Sequence, residues 1–167
     1  MPGLLELNYM SIFDRLANPG RFQRTAQKLM PFCLLTSFLS FAVGLYYSLI
    51  VSPADYQQGD NVRIMYIHVP AAWLALSSYL GLGACALLYL IWRHPLADIA
   101  ARAVAPIGCG FAALTLITGS LWGYPTWGAW WVWDARLTSM LILFFFFLGH
   151  IALASGFDRP ERGARPA

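Results

Sequence analysis

The chain has 167 residues, of which 59% are hydrophobic and 11% charged, and its formal net charge is +3. Soluble domains carry roughly 25% charged residues, so the composition excludes a disordered chain and argues against a soluble globule. We expect one integral membrane domain with short flanking segments. The basic residues form no nucleic-acid patch, and no phosphate-binding or EF-hand loop occurs. We expect a binding protein that is not an enzyme and contacts no nucleic acid.

Four stretches without Asp, Glu, Lys or Arg follow one another along the chain: 29–51, 66–92, 103–122 and 137–156. As helices, each is long enough to cross a hydrocarbon core roughly 30 Å thick. Only helices satisfy their own backbone groups in lipid at this length. The predicted fold class is therefore all-α, a polytopic transmembrane helical bundle with four spans. We expect Pro70 in the first turn of the second span, where its missing N–H costs nothing.

Basic residues are distributed unequally between the two sides of the predicted bundle. Only Arg63 and Arg136 fall in the two loops on one side. The other side has nine: Arg15, Arg21, Arg24, Lys28, Arg93, Arg102, Arg159, Arg162 and Arg165. By the positive-inside rule, both termini are cytoplasmic. This predicts a cytoplasmic N-terminal segment 1–28, a transmembrane domain 29–156 and a cytoplasmic tail 157–167.

Five of the seven tryptophans lie in the predicted outer loop 122–139: Trp122, Trp127, Trp130, Trp131 and Trp133. An aromatic belt at the membrane surface explains one or two tryptophans at a helix end. If the segment is helical, Trp127, Trp130, Trp131 and Asp134 share one face. Such a platform suits a large planar apolar ligand, either haem or a quinone. Asp134 and Arg136 either anchor the strip, form a surface ion pair, or supply Arg136 to an anionic group of the ligand.

His68 lies at the outer end of the second predicted span, on the same side as the tryptophans. The positive end of a helix dipole disfavours imidazolium, and neutral imidazole is the form that ligates metals. His68 is therefore either an axial metal ligand or a hydrogen-bonded structural residue. We expect a solvated His94 and a His150 that hydrogen-bonds a neighbouring helix. The chain has no C-x-x-C-H motif for covalent c-type haem, and Cys33, Cys85 and Cys109 are expected to serve packing.

The segment 127–139, WGAWWVWDARLTS, resembles the tryptophan-rich WWD motif of haem-handling membrane proteins. Together with PADYQQG at 53–59 and YIHVPAAW at 66–73, it resembles the haem exporter protein C (CcmC) family of cytochrome c biogenesis over residues 30–158. The resemblance implies a multi-pass protein of the bacterial inner membrane. Members of the family hold haem at the periplasmic face and deliver it to the haem chaperone CcmE, beside CcmA, CcmB and CcmD.

The resemblance also implies a non-covalent, b-type haem site with His68 as an axial iron ligand. The expected haem contacts are Trp122, Trp127, Trp130, Trp131, Trp133, Asp134 and Arg136. The family has six spans and a second periplasmic histidine, for which the sequence after the fourth span offers no counterpart. We therefore expect a truncated gene product, a fragment, or a shortened homologue that uses a partner's ligand. With one axial ligand of its own, the chain should bind haem more weakly and in a five-coordinate form.

Two other functions are compatible with the pattern: a small-molecule transporter, or a structural membrane subunit of a transport complex that docks a partner through its aromatic loop. The four predicted spans contain no carboxylate and no lysine. Because intramembrane ionisable residues mark ion pathways, this argues against an ion-coupled transporter.

Overall fold

A computed structural model of the chain describes residues 19–93 and 95–157. Four long helices make up most of these ranges: α1 (Pro19–Tyr46), α2 (Val62–Trp92), α3 (Pro95–Trp127) and α4 (Ala135–Phe157). Each is long and apolar enough to cross a membrane, which confirms the predicted all-α bundle with four spans. The predictions for residues 1–18, for His94 and for the tail from residue 158 onward lie outside the described residues.

The helices extend beyond the apolar stretches that predicted them. α2 begins at Val62, so Pro70 lies well inside the helix and the prediction of a first-turn proline is wrong. Hydropathy identifies only the apolar part of a helix, which lies in the hydrocarbon core. The polar residues before it continue the same helix into the membrane–water interface. α3 likewise includes Asp98 and Arg102, which pair at 2.9 Å one turn apart.

The loop between α1 and α2 is organised by Asp55. Its Oδ1 accepts hydrogen bonds from the amides of Gln57 and Gln58, both at 2.8 Å. The backbones of Asp55 and Gly59 also exchange two hydrogen bonds, at 3.1 and 2.9 Å. Gly59 takes a positive φ of 59°, which costs a glycine little. The loop is therefore a closed turn that presents the Gln58 side chain in a defined place.

Arg63 joins the end of α1 to the start of α2. α1 continues as a π-helical segment, Tyr47–Val51, whose last carbonyls lack helical partners. The Arg63 guanidinium donates to the carbonyls of Leu49 and, at 3.4 Å, Ser52, and it pairs with Asp60 at 3.3 Å. A cation at the C-terminal end of a helix also complements the helix dipole.

α3 is the central helix, with α2 and α4 packed against it. The buried positions are mostly small residues, which let helix backbones approach closely in a membrane. They are Ala71, Ala75, Leu82, Ala97, Ala101, Ala105, Gly108, Ala112, Thr115, Thr118, Gly119, Gly123, Leu137 and Phe147. α1 stands apart: none of its described side chains is buried, and its large apolar residues are exposed along its length.

Candidate functional site

A cavity of about 240 Å³ opens at the end of the bundle where the loops 52–61 and 128–134 lie. It is bounded by α2, α3 and the start of α4. Its walls are formed by Met65, His68, Ala72, Thr115, Leu116, Gly119, Trp122, Trp127, Asp134, Arg136, Leu137 and Met140. The fold therefore brings together five residues that the sequence singled out, which are His68, Trp122, Trp127, Asp134 and Arg136.

His68 is held against α3 by two neighbouring residues of that helix. Its Nδ1 lies 3.0 Å from the Thr118 hydroxyl oxygen. A Cβ at Gly119 would lie 3.1 Å from the imidazole Cε1, a tight contact that would displace the ring by a few tenths of an ångström. Because α2 begins at Val62, His68 lies beyond the first turn, where the helix dipole acts weakly. The dipole argument made from the sequence therefore does not hold.

Asp134 caps the N-terminus of α4 and directly precedes its first residue, Ala135. Its Oδ1 accepts the Leu137 amide at 2.8 Å, and its carbonyl accepts the Thr138 amide at 3.1 Å. Its Oδ2 accepts two hydrogen bonds from Arg136, at 2.8 and 3.1 Å. The Leu137 hydrogen bond, together with the Arg136 hydrogen bond and charge, holds the pKa of Asp134 below its usual value, against the opposing effect of desolvation. Of the three roles considered for Asp134 and Arg136, the geometry favours anchoring of the tryptophan strip.

Arg136 lies at the mouth of the cavity. Its guanidinium carbon is 5.5 Å from the centroid of the Trp127 ring, which is a cation–π distance. A second, shallower cavity of about 310 Å³ lies beside it and shares Trp127, Asp134 and Arg136 with the first. The Nη1 group makes no hydrogen bond within the described ranges, so it can donate to an anion at the mouth.

Residues 128–134 are not helical, so the prediction that Trp127, Trp130, Trp131 and Asp134 share one helix face is wrong. α3 ends at Trp127, and Gly128 takes a φ of 74° while its amide donates to the Tyr124 carbonyl at 2.9 Å. A glycine in this conformation ends a helix, and residues 128–134 follow an irregular path to the Asp134 cap.

The aromatic rings instead form three pairs. Trp122 and Trp127 meet edge to face at 5.0 Å on the cavity wall, and Tyr124 stacks on Trp130 at 4.5 Å. Trp131 and Trp133 meet edge to face at 5.4 Å. Trp130 and Trp133 are 55% and 76% exposed, so they belong to the outer surface and do not line the cavity. The Trp131 Nε1 is buried, and no described residue accepts its hydrogen bond.

Several site residues carry no sequence signal of their own. Thr118 and Gly119 lie in an uncharged span and gain a role only from their contact with His68. Gln58 accepts the Trp122 indole N–H at 2.9 Å and so joins the two loops. It lies inside the PADYQQG segment, which was the only available hint. Met65 and Met140 add thioether groups to the cavity wall.

The remaining candidates lie away from this cavity. His150 lies near the start of α3, and its Nε2 is buried without a partner in the described part of the chain, so the predicted hydrogen bond to a neighbouring helix is wrong. Cys33, Cys85 and Cys109 are free thiols. Cys85 and Cys109 are partly buried against the core, as predicted for packing residues, whereas Cys33 is exposed on α1, so the predicted packing role is wrong for it within the described chain.

The fold and the cavity define a class: a polytopic helical membrane protein with one imidazole in a tryptophan-walled cavity at one end of the bundle. Residues 12–167 match the family model described as "Heme exporter protein C", CcmC. The chain is 51% identical to the Heme exporter protein C of Bradyrhizobium diazoefficiens over 158 residues, which is 95% of this chain and 59% of that protein. It is 44% identical to the Haemophilus influenzae protein of that name over 90% of this chain and 61% of the relative, and 42% identical to that of Escherichia coli K12 over 92% and 62%.

The chain therefore belongs to the Heme exporter protein C family. It spans about three fifths of the length of these relatives.

Proposed function

We propose that the chain binds haem at the cavity around His68, as part of haem export for the maturation of c-type cytochromes. One observation carries the proposal: a single imidazole faces a cavity with two tryptophan rings in its wall. Within residues 19–93 and 95–157, no group of three or more His, Cys, Asp or Glu side chains is placed to hold a metal ion. A bare ion needs several protein ligands, whereas a porphyrin supplies four nitrogens and needs only an axial ligand.

The size of the cavity limits how haem sits there. Pockets that enclose drug-sized ligands measure roughly 300–1,000 Å³, so a cavity of about 240 Å³ takes only part of a macrocycle. The rest of the ring is left to the exposed rings of Trp130 and Trp133 and to the half-buried ring of Trp131. Arg136, anchored by Asp134, is available to a propionate.

Partial enclosure suits a protein that hands its ligand on. We propose non-covalent, b-type haem, presented at the periplasmic face of the bacterial inner membrane and passed to the haem chaperone CcmE in a complex with CcmA, CcmB and CcmD. Haem transfer needs moderate affinity, because each 1.4 kcal/mol of tighter binding slows release about tenfold if it acts wholly on dissociation. No catalysis is required of the chain.

A docking function is the second candidate. The exposed Trp130 and Trp133 offer an apolar surface of the kind that partners cover. Docking tolerates Phe in place of Trp at these positions, whereas haem stacking loses ring area. Trp130→Phe and Trp133→Phe therefore separate the two functions, because only haem stacking at these positions predicts weaker haem affinity in the variants.

The test is a haem titration of the detergent-purified chain followed by visible absorption. We expect saturable binding with a five-coordinate spectrum in the wild type, and loss of the ligand-dependent Soret shift in His68→Ala. His150→Ala is the matched control, because it removes an imidazole from the opposite end of the bundle. Haem uptake that does not saturate, or that His68→Ala leaves unchanged, contradicts the proposal. A bis-histidine spectrum contradicts the single-ligand site.

A further inference from the structure

We propose that Thr118 is a positioning residue that sets the tautomer of His68. It holds the imidazole proton on Nδ1 and so leaves the lone pair of Nε2 for a ligand in the cavity. The effect of Thr118 on haem affinity rests on the proposed function, whereas the tautomer itself is a property of the ligand-free protein. The contact joins α2 to α3 across 50 residues of sequence.

The hydroxyl group of Thr118 has one proton, which it donates in a hydrogen bond to a backbone carbonyl of its own helix. Oγ1 lies 2.7 Å from the Leu114 carbonyl oxygen and 3.3 Å from that of Thr115. A carbonyl only accepts hydrogen bonds, so the hydroxyl is the donor, as is common for threonine inside helices. Oγ1 therefore has only lone pairs to offer the His68 Nδ1 at 3.0 Å, and Nδ1 must be the donor.

The opposite tautomer is disfavoured by the surroundings of the pair. A proton on Nε2 would set the Nδ1 lone pair against a lone pair of Oγ1, unless the hydroxyl left its short bond to Leu114. Thr118 is only 7% exposed, so water does not compete for these bonds.

Nε2 remains available to a ligand. No described residue lies in hydrogen-bonding geometry with Nε2, and the atom is not buried, so it keeps accessible surface on a residue that lines the cavity. A flip of the ring would place a C–H group against the Thr118 oxygen and lose the Nδ1 hydrogen bond. Gly119 packs against Cε1 and keeps the ring close to α3.

The consequence for metal binding is direct. Only an imidazole with a free Nε2 lone pair ligates iron in the cavity, so any population of the other tautomer weakens the apparent affinity in proportion. A hydrogen bond from the non-ligating nitrogen also orients the ring, and removing such partners elsewhere costs roughly 10–100-fold in metal affinity. We expect a loss of about tenfold for Thr118→Val, which keeps the shape and removes the hydroxyl.

The first test is ¹⁵N NMR of the histidine side chains in the full chain, purified without haem in detergent. We expect a protonated Nδ1 and an unprotonated Nε2 for His68 in the wild type and in Thr118→Ser, and a shifted or mixed tautomer in Thr118→Val. Thr36→Val is the matched control for the tautomer, because it removes a hydroxyl on α1 that bonds the Phe32 and Cys33 carbonyls, away from the cavity. A protonated Nε2 in the wild type, or an unchanged tautomer in Thr118→Val, overturns the proposal.

The second test is titration with iron protoporphyrin IX. We expect about tenfold weaker binding in Thr118→Val, recovery in Thr118→Ser, and no further loss when Thr118→Val is added to His68→Ala. Equal affinities of Thr118→Val and the wild type, with the NMR tautomer as expected, overturn the positioning role. If His68→Ala binds haem as tightly as the wild type, the proposed haem site is overturned, whereas the tautomer assignment still stands.

Discussion

Asp134 belongs to the most recognisable motif of the sequence, yet its contacts serve the fold. Both carboxylate oxygens are engaged, one by the Leu137 amide and the other by Arg136. The residue therefore acts on the cavity indirectly. It determines where α4 begins, and it holds Arg136 against Trp127 at the mouth.

The lowered pKa of Asp134 predicts a pH-dependent contribution to stability. A carboxyl group whose pKa is lower in the folded state stabilises the fold above its unfolded pKa of about 3.9, and this contribution is lost as the pH falls through the lower folded value. We expect Asp134→Ala to melt several degrees below the wild type at pH 7, and the difference to shrink below about pH 4. Thermal unfolding in detergent measures this.

Asp134→Asn is the control for the charge, because asparagine caps helices about as well as aspartate. Its melting temperature should depend less on pH than that of the wild type. A difference between Asp134→Ala and the wild type that stays constant down to the lowest pH would contradict the assignment.

At the scale of helices, the packing of α3 against α4 depends on the absence of a side chain at Gly108. A Cβ there would lie 2.4 Å from the Phe147 ring and 2.7 Å from the Ser78 Cβ. Phe147 is fully buried, and Tyr79 meets its ring edge to face at 5.5 Å. Three helices therefore meet at one glycine, and the large aromatic ring fills the space that the glycine leaves.

We expect Gly108→Ala to lower the free energy of unfolding by about 1–3 kcal/mol, the usual cost of overpacking. Thermal or denaturant unfolding in detergent checks this. Gly110→Ala is the matched control on the same helix, because no atom lies within 4 Å of its Cβ position. Phe147→Leu, added to Gly108→Ala, should recover part of the loss. Identical unfolding of Gly108→Ala and Gly110→Ala would show that the close contact is not limiting.

At the scale of the whole molecule, the loops 52–61 and 128–134 lie at one end of the bundle, where the Trp122–Gln58 hydrogen bond joins them. The turn at Arg93 lies at the other end, between α2 and α3. The positive-inside rule predicts that the loop end, with the cavity, faces the periplasm.

Cysteine labelling tests this orientation in a background without Cys33, Cys85 and Cys109. Tyr56 is 90% exposed in the first of these loops, so Tyr56→Cys should react with an impermeant maleimide in intact spheroplasts. Arg93→Cys should react only after permeabilisation, since the other basic residues of its side preserve the charge bias. The reverse pattern would place the cavity on the cytoplasmic side.

The four spans could be predicted from the sequence, because a bilayer requires long uncharged helices and the described residues contain four helices that meet this requirement. It also singled out one histidine and a cluster of tryptophans near the same end of the bundle, which are the residues of the proposed haem site. Hydropathy was less informative about helix ends, because the helices continue through polar residues, as α2 does at Arg63.

The way in which these residues meet could not be predicted, because it depends on how the helices pack. Gly128 ends α3, so Trp122 and Trp127 enter the cavity wall while Trp130 and Trp133 remain outside. The partnership of His68 with Thr118 depends on the register between α2 and α3, which close packing of small side chains sets and no local pattern records. Contacts between residues that are distant in sequence depend on how the helices of the whole bundle pack, so no local pattern predicts them.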